Sequence, residues 1–296
     1  MNKPLVSVFV LTYNADKYIE ECLDSVISQT YDNLQIIVSD DLSSDNTRNI
    51  LIKYKKKYPQ IELYLQDINL GITGNCNFCL DKSKGEYYCF FAGDDVMMPE
   101  RLEKQVEFMH NNIQYSTCGT ACIIIDEESM EKYKINSSKR VYDFKSMLKK
   151  GNALVPVPSY MVRRSMVKNN FDSRMSVASD ALFYFKVALN GKIYILDEYL
   201  TKYRKHYSAA QKLGYSGDTL ITYAIIESEM PHLYKYIKYA KNTWYVNMVL
   251  ASLKNKNIRL VTTYCMSAIR QAPFLFLTHM SYRVMLRVNL KIKRNK

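Results

Sequence analysis

Two adjacent carboxylates follow an apolar run, and folding alone does not require them. The segment "FFAGDDVMMP" (residues 90–99) places Asp94 and Asp95 between two apolar stretches. Paired carboxylates are hard oxygen ligands that suit Mg²⁺ or Mn²⁺ rather than zinc, and these ions commonly bind substrate phosphates as well. Asp pairs are also frequent in turns, where they hydrogen-bond the local backbone. The residues at neighbouring strand ends help to decide between these two interpretations.

Apolar runs alternate with helical patterns along the first third of the chain. The runs "LVSVFVLTY", "LQIIVSDD", "IELYLQ" and "EYYCFFA" each predict a buried strand, and a helical pattern follows each of them. The first helical pattern repeats apolar residues on one face: Ile19, Cys22, Leu23, Val26 and Ile27. The last one is predicted to begin at Pro99, because proline is favoured at the first helical position. This alternation predicts an α/β fold in which helices flank a mostly parallel sheet.

Polar residues follow all four predicted strands. They are Thr12, Tyr13 and Asn14 after the first strand, Asp40 and Asp41 after the second, Asn69 and Gly71 after the third, and Asp94 and Asp95 after the fourth. Ligands of such sheets bind beyond the carboxyl ends of the strands. We therefore expect these groups to converge on one crevice, where the carboxylates would hold a divalent ion and a phosphate ester.

The middle of the chain continues the pattern less regularly. A polar stretch at residues 126–140 predicts a hairpin or a mobile loop, and a short strand is expected near 159–163. Asp180 lies in the first turn of a predicted helix, a position where an acidic side chain is also favoured by the helix dipole. Residues 193–206, "IYILDEYLTKYRKH", read as paired strands, and the chain beyond 208 reads as a helical C-terminal appendage.

Composition and charge narrow the class of protein. The chain has 296 residues, of which 48% are apolar, and a net charge of +12. Thirteen Lys or Arg and no acidic residue follow residue 230, so the positive charge is concentrated in the C-terminal region and would favour an acidic surface. Seven cysteines without regular spacing do not form a disulfide pattern, and no apolar run is long enough to span a bilayer. We expect a cytoplasmic protein.

Several segments together resemble the inverting family 2 glycosyltransferases of the GT-A fold, a Rossmann-like fold. They are "VSVFVLTYNADKYIEECLDSVISQTYDNLQIIVSDDLSSDNT", "NLGITGNCN", "KGEYYCFFAGDDVMMPERLEKQV" and "SDALFYFKVALNGKIYILDEYLTKYRKH". The resemblance covers roughly residues 4–206. It implies a catalytic domain over 1–208, with a nucleotide-binding half at about 1–98 and an acceptor half at about 99–208. Residues 209–296 would then form a basic helical region.

The resemblance also implies roles for the strand-end residues. The nucleotide-binding residues would be Thr12, Tyr13, Asn14, Asp41, Asn69, Gly71 and Asp94. Asp41 would accept the ring N–H of the base, and Asp94 would lie towards the ribose. Asp95 would bind Mn²⁺ or Mg²⁺ at the donor diphosphate. Gly93 stands where the family's DxD element carries its first acid.

Three further residues receive roles from the same resemblance. Asp180 matches the catalytic base that deprotonates the acceptor hydroxyl in a single displacement. Arg204 and His206 match basic residues over the pyrophosphate, and His206 could also ligate the metal. A histidine on a surface loop without a ligand is an equal alternative for His206.

The expected function is transfer of a sugar from a nucleotide-diphosphate donor, a UDP-sugar by preference. The acceptor would be a glycan or lipid-linked hydroxyl in polysaccharide, capsule or lipopolysaccharide assembly. The alternative from another class is a catalytically silent nucleotide-binding scaffold at the membrane. Nucleotidyl transfer is disfavoured because "TYNADKY" is not a Gly-rich basic phosphate loop, and dinucleotide and P-loop motifs are absent.

The C-terminal region predicts a membrane partner rather than nucleic acid. One helical stripe carries Arg283, Arg287, Lys291 and Arg294, and another carries Leu277, Met280, Val284 and Val288. This is the pattern of a basic amphipathic helix that lies on the inner face of a membrane. The alternative is that the apolar stripe packs on the catalytic domain. No recognisable RNA-binding motif accompanies the aromatic residues of this region.

Overall fold

The computed structural model describes residues 3–137, 139–150, 154–175, 179–205, 216–278 and 280–281. The strands are β1 (Val6–Thr12), β2 (Leu34–Asp40), β3 (Ile61–Leu65), β4 (Tyr87–Ala92), β5 (Val96–Met97), β6 (Tyr115–Ile125), β7 (Glu131–Ile135), β8 (Val141–Tyr142), β9 (Met161–Arg163) and β10 (Lys192–Arg204). The helices are α1 (Ile19–Ile27), α2 (Thr47–Lys57), α3 (Gly71–Lys82), α4 (Arg101–Asn111), α5 (Phe144–Lys150), α6 (Ser179–Ala188), α7 (Ser216–Glu229), α8 (Tyr234–Lys254) and α9 (Ile258–Gln271).

The strands form one sheet in the order β3-β2-β1-β4-β9-β6-β10-β5. The four N-terminal strands are parallel, with β1 between β2 and β4, so their carboxyl ends share one edge. β9 is antiparallel to both β4 and β6, and β6 is parallel to β10. The structure confirms the expected α/β class with a mostly parallel sheet. It also places the end of β1 directly between the two acidic strand ends.

Helix α1 shows how apolar spacing builds the core. Ile19, Cys22, Leu23 and Val26 are fully buried and join the cluster formed by the apolar side chains of β1 and β4. Burying one such aliphatic side chain contributes about 1.5–3 kcal/mol relative to leaving it exposed. The opposite side of α1 carries Glu20 and Glu21. The predicted face of this helix is therefore confirmed, and its charged side remains available for other contacts.

Three local predictions compare differently with the structure. The polar stretch after β6 contains β7, which pairs antiparallel with β6, so the hairpin is confirmed of the two predicted alternatives. The helix predicted from Pro99 begins at Arg101, with Glu100 in the capping position. The paired strands predicted over residues 193–206 are wrong, because β10 is one continuous strand parallel to β6. Register shifts at 196–199 absorb Asp197 and Glu198, whose turn-like chemistry suggested a break.

The chain divides into two compact units. One contains residues 1–144 and 153–219, and the other contains residues 145–152 and 220–296. The expected boundary at residue 208 lies outside the described residues. In the second unit, α8 buries Ile237, Ala240 and Trp244, and the indole of Trp244 meets the Tyr264 ring of α9 edge-on at 5.6 Å. No helix in the described ranges combines the length and apolarity needed to cross a membrane.

Candidate active site

Asp40, the last residue of β2, is fully buried, and both of its carboxylate oxygens accept hydrogen bonds. Its Oδ1 accepts hydrogen bonds from the hydroxyls of Thr12 and Ser43, and its Oδ2 accepts the Ser43 N–H at 3.0 Å. Arg48 Nε lies 3.0 Å from the same Oδ2. Asp40 thus fastens the ends of β1 and β2 to the loop that precedes α2. The sequence did not single out this structural role.

Asp41 connects the end of β2 with the start of α3. Its N–H donates to the Thr12 carbonyl at 2.9 Å, and its Oδ1 accepts the Leu70 N–H at 2.6 Å. Asn69 donates from its side chain to the Asp41 carbonyl at 2.9 Å. Gly71 has φ of +70°, a backbone conformation that residues with a side chain rarely adopt. α3 begins at this residue, next to the Leu70 N–H that Asp41 accepts. Four predicted nucleotide-binding residues, Thr12, Asp41, Asn69 and Gly71, are therefore brought together.

Burial raises the pKa of the Asp41 carboxyl, with a further contribution from the neighbouring Asp40 charge. Hydrogen bonds from the Leu70 and Gly71 backbone N–H groups oppose that rise. Asp41 is only 5% exposed, so its carboxylate is shielded from water. A shielded acceptor at the end of a strand is well suited to select a hydrogen-bond donor on a ligand.

Tyr13 and Asn14 form the rim of this edge. Tyr13 is 52% exposed, an unusual state for an aromatic side chain next to a buried strand. Asn14 has φ of 50°, and its N–H donates to Ser43 Oγ at 2.8 Å while its Oδ1 accepts the Ser44 N–H at 2.8 Å. The loop after β1 is therefore held firmly at Asn14 and presents the Tyr13 ring to solvent.

Asp94 and Asp95 follow β4 on the other side of β1, and their environments differ. Asp95 is 0% exposed, whereas Asp94 is partly exposed. Asp95 Oδ1 accepts the backbone N–H of Arg204 at 2.8 Å, and Asp95 Oδ2 is buried without a hydrogen-bond partner. Burial, followed by the charge of Asp94, raises the pKa of Asp95 well above its ordinary value. An unpaired buried carboxylate oxygen of this kind favours a positively charged partner.

Gly93 lies at a crowded position, where the DxD element would carry its first acid. A Cβ at this position would lie 2.9 Å from Thr12 Cγ2 and 3.2 Å from Ile19 Cδ1. The Gly93 N–H donates to the Leu11 carbonyl at 2.9 Å, so the backbone cannot move away without losing this bond. A side chain at this position would therefore have to displace Thr12, whose hydroxyl is bonded to Asp40, and push Ile19 aside.

Arg204, at the end of β10, has a fully buried side chain. Its Nε donates to the Asp94 carbonyl at 2.7 Å, and its Nη2 donates to Glu21 Oε2 at 2.6 Å. Its Nη1 donates to the Asp126 carbonyl at 2.9 Å and to Ser129 Oγ at 3.0 Å. The structure therefore surrounds the guanidinium with protein acceptors. The predicted contact of Arg204 with a pyrophosphate remains a prediction.

Asp180 lies in the first turn of α6, as predicted, and is partly exposed. Its Oδ1 accepts the Ala181 N–H at 2.7 Å. Burial raises the pKa of the Cys76 thiol of α3 well above its ordinary value, and Cys79, Asp180 and Asp41 add smaller contributions of the same sign. Asp180 and Asp41 therefore both act on this part of α3. His206 lies outside the described residues, so its predicted contact with metal or pyrophosphate stays a prediction.

The chemistry of this edge fits a divalent ion that a substrate helps to hold. The described residues contain no group of three or more His, Cys, Asp and Glu side chains that could bind a metal by themselves. Mg²⁺ and Mn²⁺ need fewer protein ligands, because one or two carboxylates combine with substrate phosphates and water. Asp94 and the unpaired Oδ2 of Asp95 satisfy that requirement.

Sequence reasoning missed Glu21, Tyr18 and Ser129, which surround Arg204. The guanidinium carbon lies 4.5 Å from the Tyr18 ring centroid, and Ser129 Oγ donates to Glu21 Oε2 at 2.9 Å. Glu21 belongs to the charged face of α1, which a helical pattern assigns to solvent. The available signal was the acidic pair on that face, but sequence spacing does not reveal a partner that follows 183 residues later.

Comparison with known proteins identifies relatives over most of the chain. The model of glycosyl transferase family 2 matches residues 7–171. An uncharacterized glycosyltransferase of Methanocaldococcus jannaschii is 32% identical over 215 residues, which are 69% of this chain and 72% of that protein. The putative teichuronic acid biosynthesis glycosyltransferase TuaG of Bacillus subtilis is 28% identical over 81% of this chain and 96% of its own length.

Solved structures show the same fold at low sequence identity. Residues 1–349 of S. aureus TarS, in complex with UDP-GlcNAc, have a TM-score of 0.65 and 18% identity, and the match covers 90% of this chain and 91% of that one. The mannosyltransferase PcManGT from Pyrobaculum calidifontis, in complex with GDP-Man and Mn²⁺, has a TM-score of 0.60 and 16% identity, with coverage of 96% and 87%. These matches confirm the expected GT-A fold.

Proposed function

Because the chain belongs to glycosyl transferase family 2, we propose that it transfers a sugar from a nucleotide-diphosphate donor to an acceptor hydroxyl with inversion. The observation that carries this proposal is the pair of acidic strand ends on either side of β1. Asp41 lies in a shielded, backbone-bonded position on one side, and Asp94–Asp95 lie on the other with one unpaired buried oxygen. A base-reading group and a cation-binding group are what a nucleotide-diphosphate requires.

The donor is proposed to lie across the end of β1. Thr12, Tyr13 and Asn14 would border the nucleoside, and the exposed Tyr13 ring offers a surface for base stacking. Asn69 and Gly71 fix the loop that holds Asp41. A UDP-sugar is the preferred donor. The TarS structure contains UDP-GlcNAc and the PcManGT structure contains GDP-Man, so both bases belong in the test.

Mn²⁺ or Mg²⁺ is the proposed cofactor, held by Asp95 as the resemblance implies. We extend this role to Asp94, in place of its expected position towards the ribose. When bound, the ion supplies positive charge that stabilises the departing diphosphate. The partial exposure of Asp94 makes it the carboxylate that a donor-bound ion can approach, and Asp95 supplies the unpaired Oδ2 behind it. The Mn²⁺ in the PcManGT structure supports a divalent ion in this fold.

Asp180 is the proposed base. A partly exposed carboxylate in the first turn of α6 can accept the proton of an acceptor hydroxyl while the anomeric bond to the diphosphate breaks. The bond from the acceptor oxygen forms on the opposite face of the sugar, so the configuration inverts. His206 remains a candidate pyrophosphate-binding residue in this proposal. The same role for Arg204 stays an untested prediction, and it competes with the several protein acceptors that Arg204 already has.

The test is sugar transfer from a panel of UDP-Glc, UDP-Gal, UDP-GlcNAc and GDP-Man to extracted lipid-linked glycans with Mn²⁺. We expect Asp180→Asn to lower turnover about 10²–10⁴-fold, the usual contribution of a general base. UDP binding should be retained by this variant. Asp67→Asn, which removes an exposed carboxylate after β3, is the matched control and should keep full turnover.

One outcome would contradict the role of Asp180, and another would contradict the function. Full turnover by Asp180→Asn would exclude its role as the base. A wild-type chain that binds UDP or GDP but releases no sugar from any donor would instead support the catalytically silent scaffold.

The acceptor class is proposed from the name of TuaG, which assigns that relative to teichuronic acid biosynthesis and so to polysaccharide assembly.

The second unit is proposed to attach the protein to the inner face of the cytoplasmic membrane. α9 exposes Ile258 by 78%, Met266 by 51% and Ile269 by 47%, and these residues share one side of the helix. Arg259 and Arg270 border the same side. Exposed apolar residues flanked by cations match the requirements of an anionic lipid surface. The predicted stripe from Arg283 to Arg294 lies outside the described residues.

Vesicle sedimentation tests this attachment. We expect binding to vesicles with about one third phosphatidylglycerol, weaker binding to pure phosphatidylcholine, and loss of binding at high salt because exposed charges are screened. The double variant Met266→Gln and Ile269→Gln should bind more weakly. Equal sedimentation of the wild type with both lipids, or an unchanged double variant, would contradict the proposed surface.

A further inference from the structure

Arg204 occupies a place where four segments of the catalytic unit meet. These segments are the end of β10, the turn after β4, the turn between β6 and β7, and the N-terminal turn of α1. Of the five N–H groups of a guanidinium, the one on Nε, both on Nη1 and at least one on Nη2 have acceptors in this unit. A side chain bound in this way cannot reach a ligand without breaking several of its bonds.

The charge of Arg204 is compensated inside the protein. Glu21 Oε2 lies 2.6 Å from Nη2, and the Tyr18 ring stacks on the guanidinium at 4.5 Å. Glu21 is held in turn by Ser129 Oγ. A buried guanidinium with a carboxylate, a ring face and backbone carbonyls around it is a satisfied ion. Glu21 already neutralises the positive charge of Arg204, so the electrostatic attraction of Arg204 for a diphosphate is reduced.

Arg204 donates hydrogen bonds directly to both proposed metal-binding residues. Its backbone N–H fixes Oδ1 of Asp95, and its Nε fixes the main-chain carbonyl of Asp94. β5 begins at Val96, directly after Asp95, and Val96 pairs with Lys202 of β10. One arginine therefore sets both the side chain of Asp95 and the main chain of Asp94 while leaving Asp95 Oδ2 unpaired.

We propose that Arg204, clamped by Glu21 and Tyr18, is a positioning residue that holds Asp94 and Asp95 in the geometry needed to bind a divalent ion with the donor. The inference rests on the proposed function, because it concerns the same site. It replaces a direct contact of Arg204 with the pyrophosphate. Partners that orient metal ligands without touching the metal typically change metal affinity by about 10–100-fold when removed.

Glu21 offers the sharpest test, because it lies at the surface end of the clamp with its side chain 42% exposed. Isothermal calorimetry should measure UDP affinity of each variant with Mn²⁺ and with EDTA. We expect Glu21→Ala to lower the Mn²⁺-supported affinity about ten-fold and to leave the EDTA value unchanged. Glu21→Gln, which keeps an acceptor, should lie between the wild type and Glu21→Ala. Glu20→Ala removes the neighbouring charge of α1 and should behave as the wild type.

Arg204→Lys extends the test to the centre of the clamp. Lysine keeps the charge but loses the branched donors, so we expect the same Mn²⁺-specific loss, and combination with Glu21→Ala should add little to it. The coupling should also appear as non-additive changes in the free energy of unfolding without nucleotide. Should Arg204→Lys fail to fold, the Glu21 variants decide alone.

A direct pyrophosphate role for Arg204 makes the opposite prediction. Release from Glu21 would free the guanidinium, so Glu21→Ala would bind UDP as well as or better than the wild type. That result, or an equal loss with Mn²⁺ and with EDTA, would overturn the positioning role. A wild-type protein that binds neither UDP nor GDP would overturn the proposed function itself, which separates the two failures.

Discussion

Two Asp–Asp pairs flank the end of β1, and their members have different environments. In the pair after β2, Asp40 accepts hydrogen bonds from two hydroxyls and one backbone N–H and forms an ion pair with Arg48, and Asp41 is held by the backbone at the start of α3. In the pair after β4, Asp95 is buried with one oxygen unpaired, and Asp94 is partly exposed. The first buried aspartate is structurally complete, whereas the second retains capacity for a ligand.

This difference shows that a dipeptide does not define a site. Burial without partners raises the free energy of an ionised carboxylate, and full hydrogen bonding offsets that cost. Asp40 therefore stabilises the fold on its own. Asp95 has a buried oxygen without a hydrogen-bond partner, so its ionised form is costly unless a cation is bound. This is the physical basis for assigning chemistry to the β4 edge.

The largest expected effect concerns Asp40. Asp40→Asn would place an amide donor among the N–H groups of Ser43 and Arg48, so we expect the free energy of unfolding to fall by about 2–3 kcal/mol. Chemical denaturation measures this change, and Asp67→Asn serves as the exposed control. If Asp40→Asn lowered the free energy of unfolding by no more than Asp67→Asn does, the structural role that separates Asp40 from Asp95 would be wrong.

The next largest expected effect is on UDP affinity, and it should depend on Mn²⁺ for one aspartate pair but not for the other. We expect Asp41→Asn to weaken UDP binding about ten-fold both with Mn²⁺ and with EDTA, equivalent to about 1.4 kcal/mol. Asp94→Asn should weaken only the binding that Mn²⁺ supports. Calorimetry under the two conditions gives both values. If Asp41→Asn lost affinity only with Mn²⁺, the base-reading role of the β2 pair would be wrong.

The smallest effect is a pH dependence at Asp95. Its raised pKa means that the stability contributed by protonated Asp95 is complete below the ordinary carboxyl value of 3.8 and is lost as pH rises through the raised pKa. Asp95→Asn cannot ionise, so its melting temperature relative to the wild type should increase as pH rises from 4 towards 8. A shift of about 2–4 °C corresponds to ~1 kcal/mol.

This comparison is made with EDTA, so that no divalent ion compensates the charge. A melting-temperature difference that stays constant across the range would show that Asp95 does not carry an ionisation penalty. A difference that shrinks with rising pH would mean that the folded state lowers the pKa of Asp95, and the contrast with Asp40 would then disappear.

Much of the fold was predictable because its cause is local. Continuous apolar runs identify buried strands, and the spacing of Ile19, Cys22 and Leu23 identifies the face of α1. The carboxyl ends of parallel strands meet by geometry, so the convergence of Thr12 and Asp41 followed from the order of elements. The continuous β10 was not predictable, since its register shifts depend on pairing with β6.

The sequence by itself determined which groups stand at the strand ends, because the apolar runs show where each strand begins and ends along the chain. Only the tertiary structure decided which of them are satisfied. Glu21 and Arg204 are 183 residues apart and meet through packing of α1, β4 and β10, which no local pattern encodes. The same packing crowds the position of Gly93 and leaves Asp95 Oδ2 unpaired, so burial and partners separate two identical dipeptides.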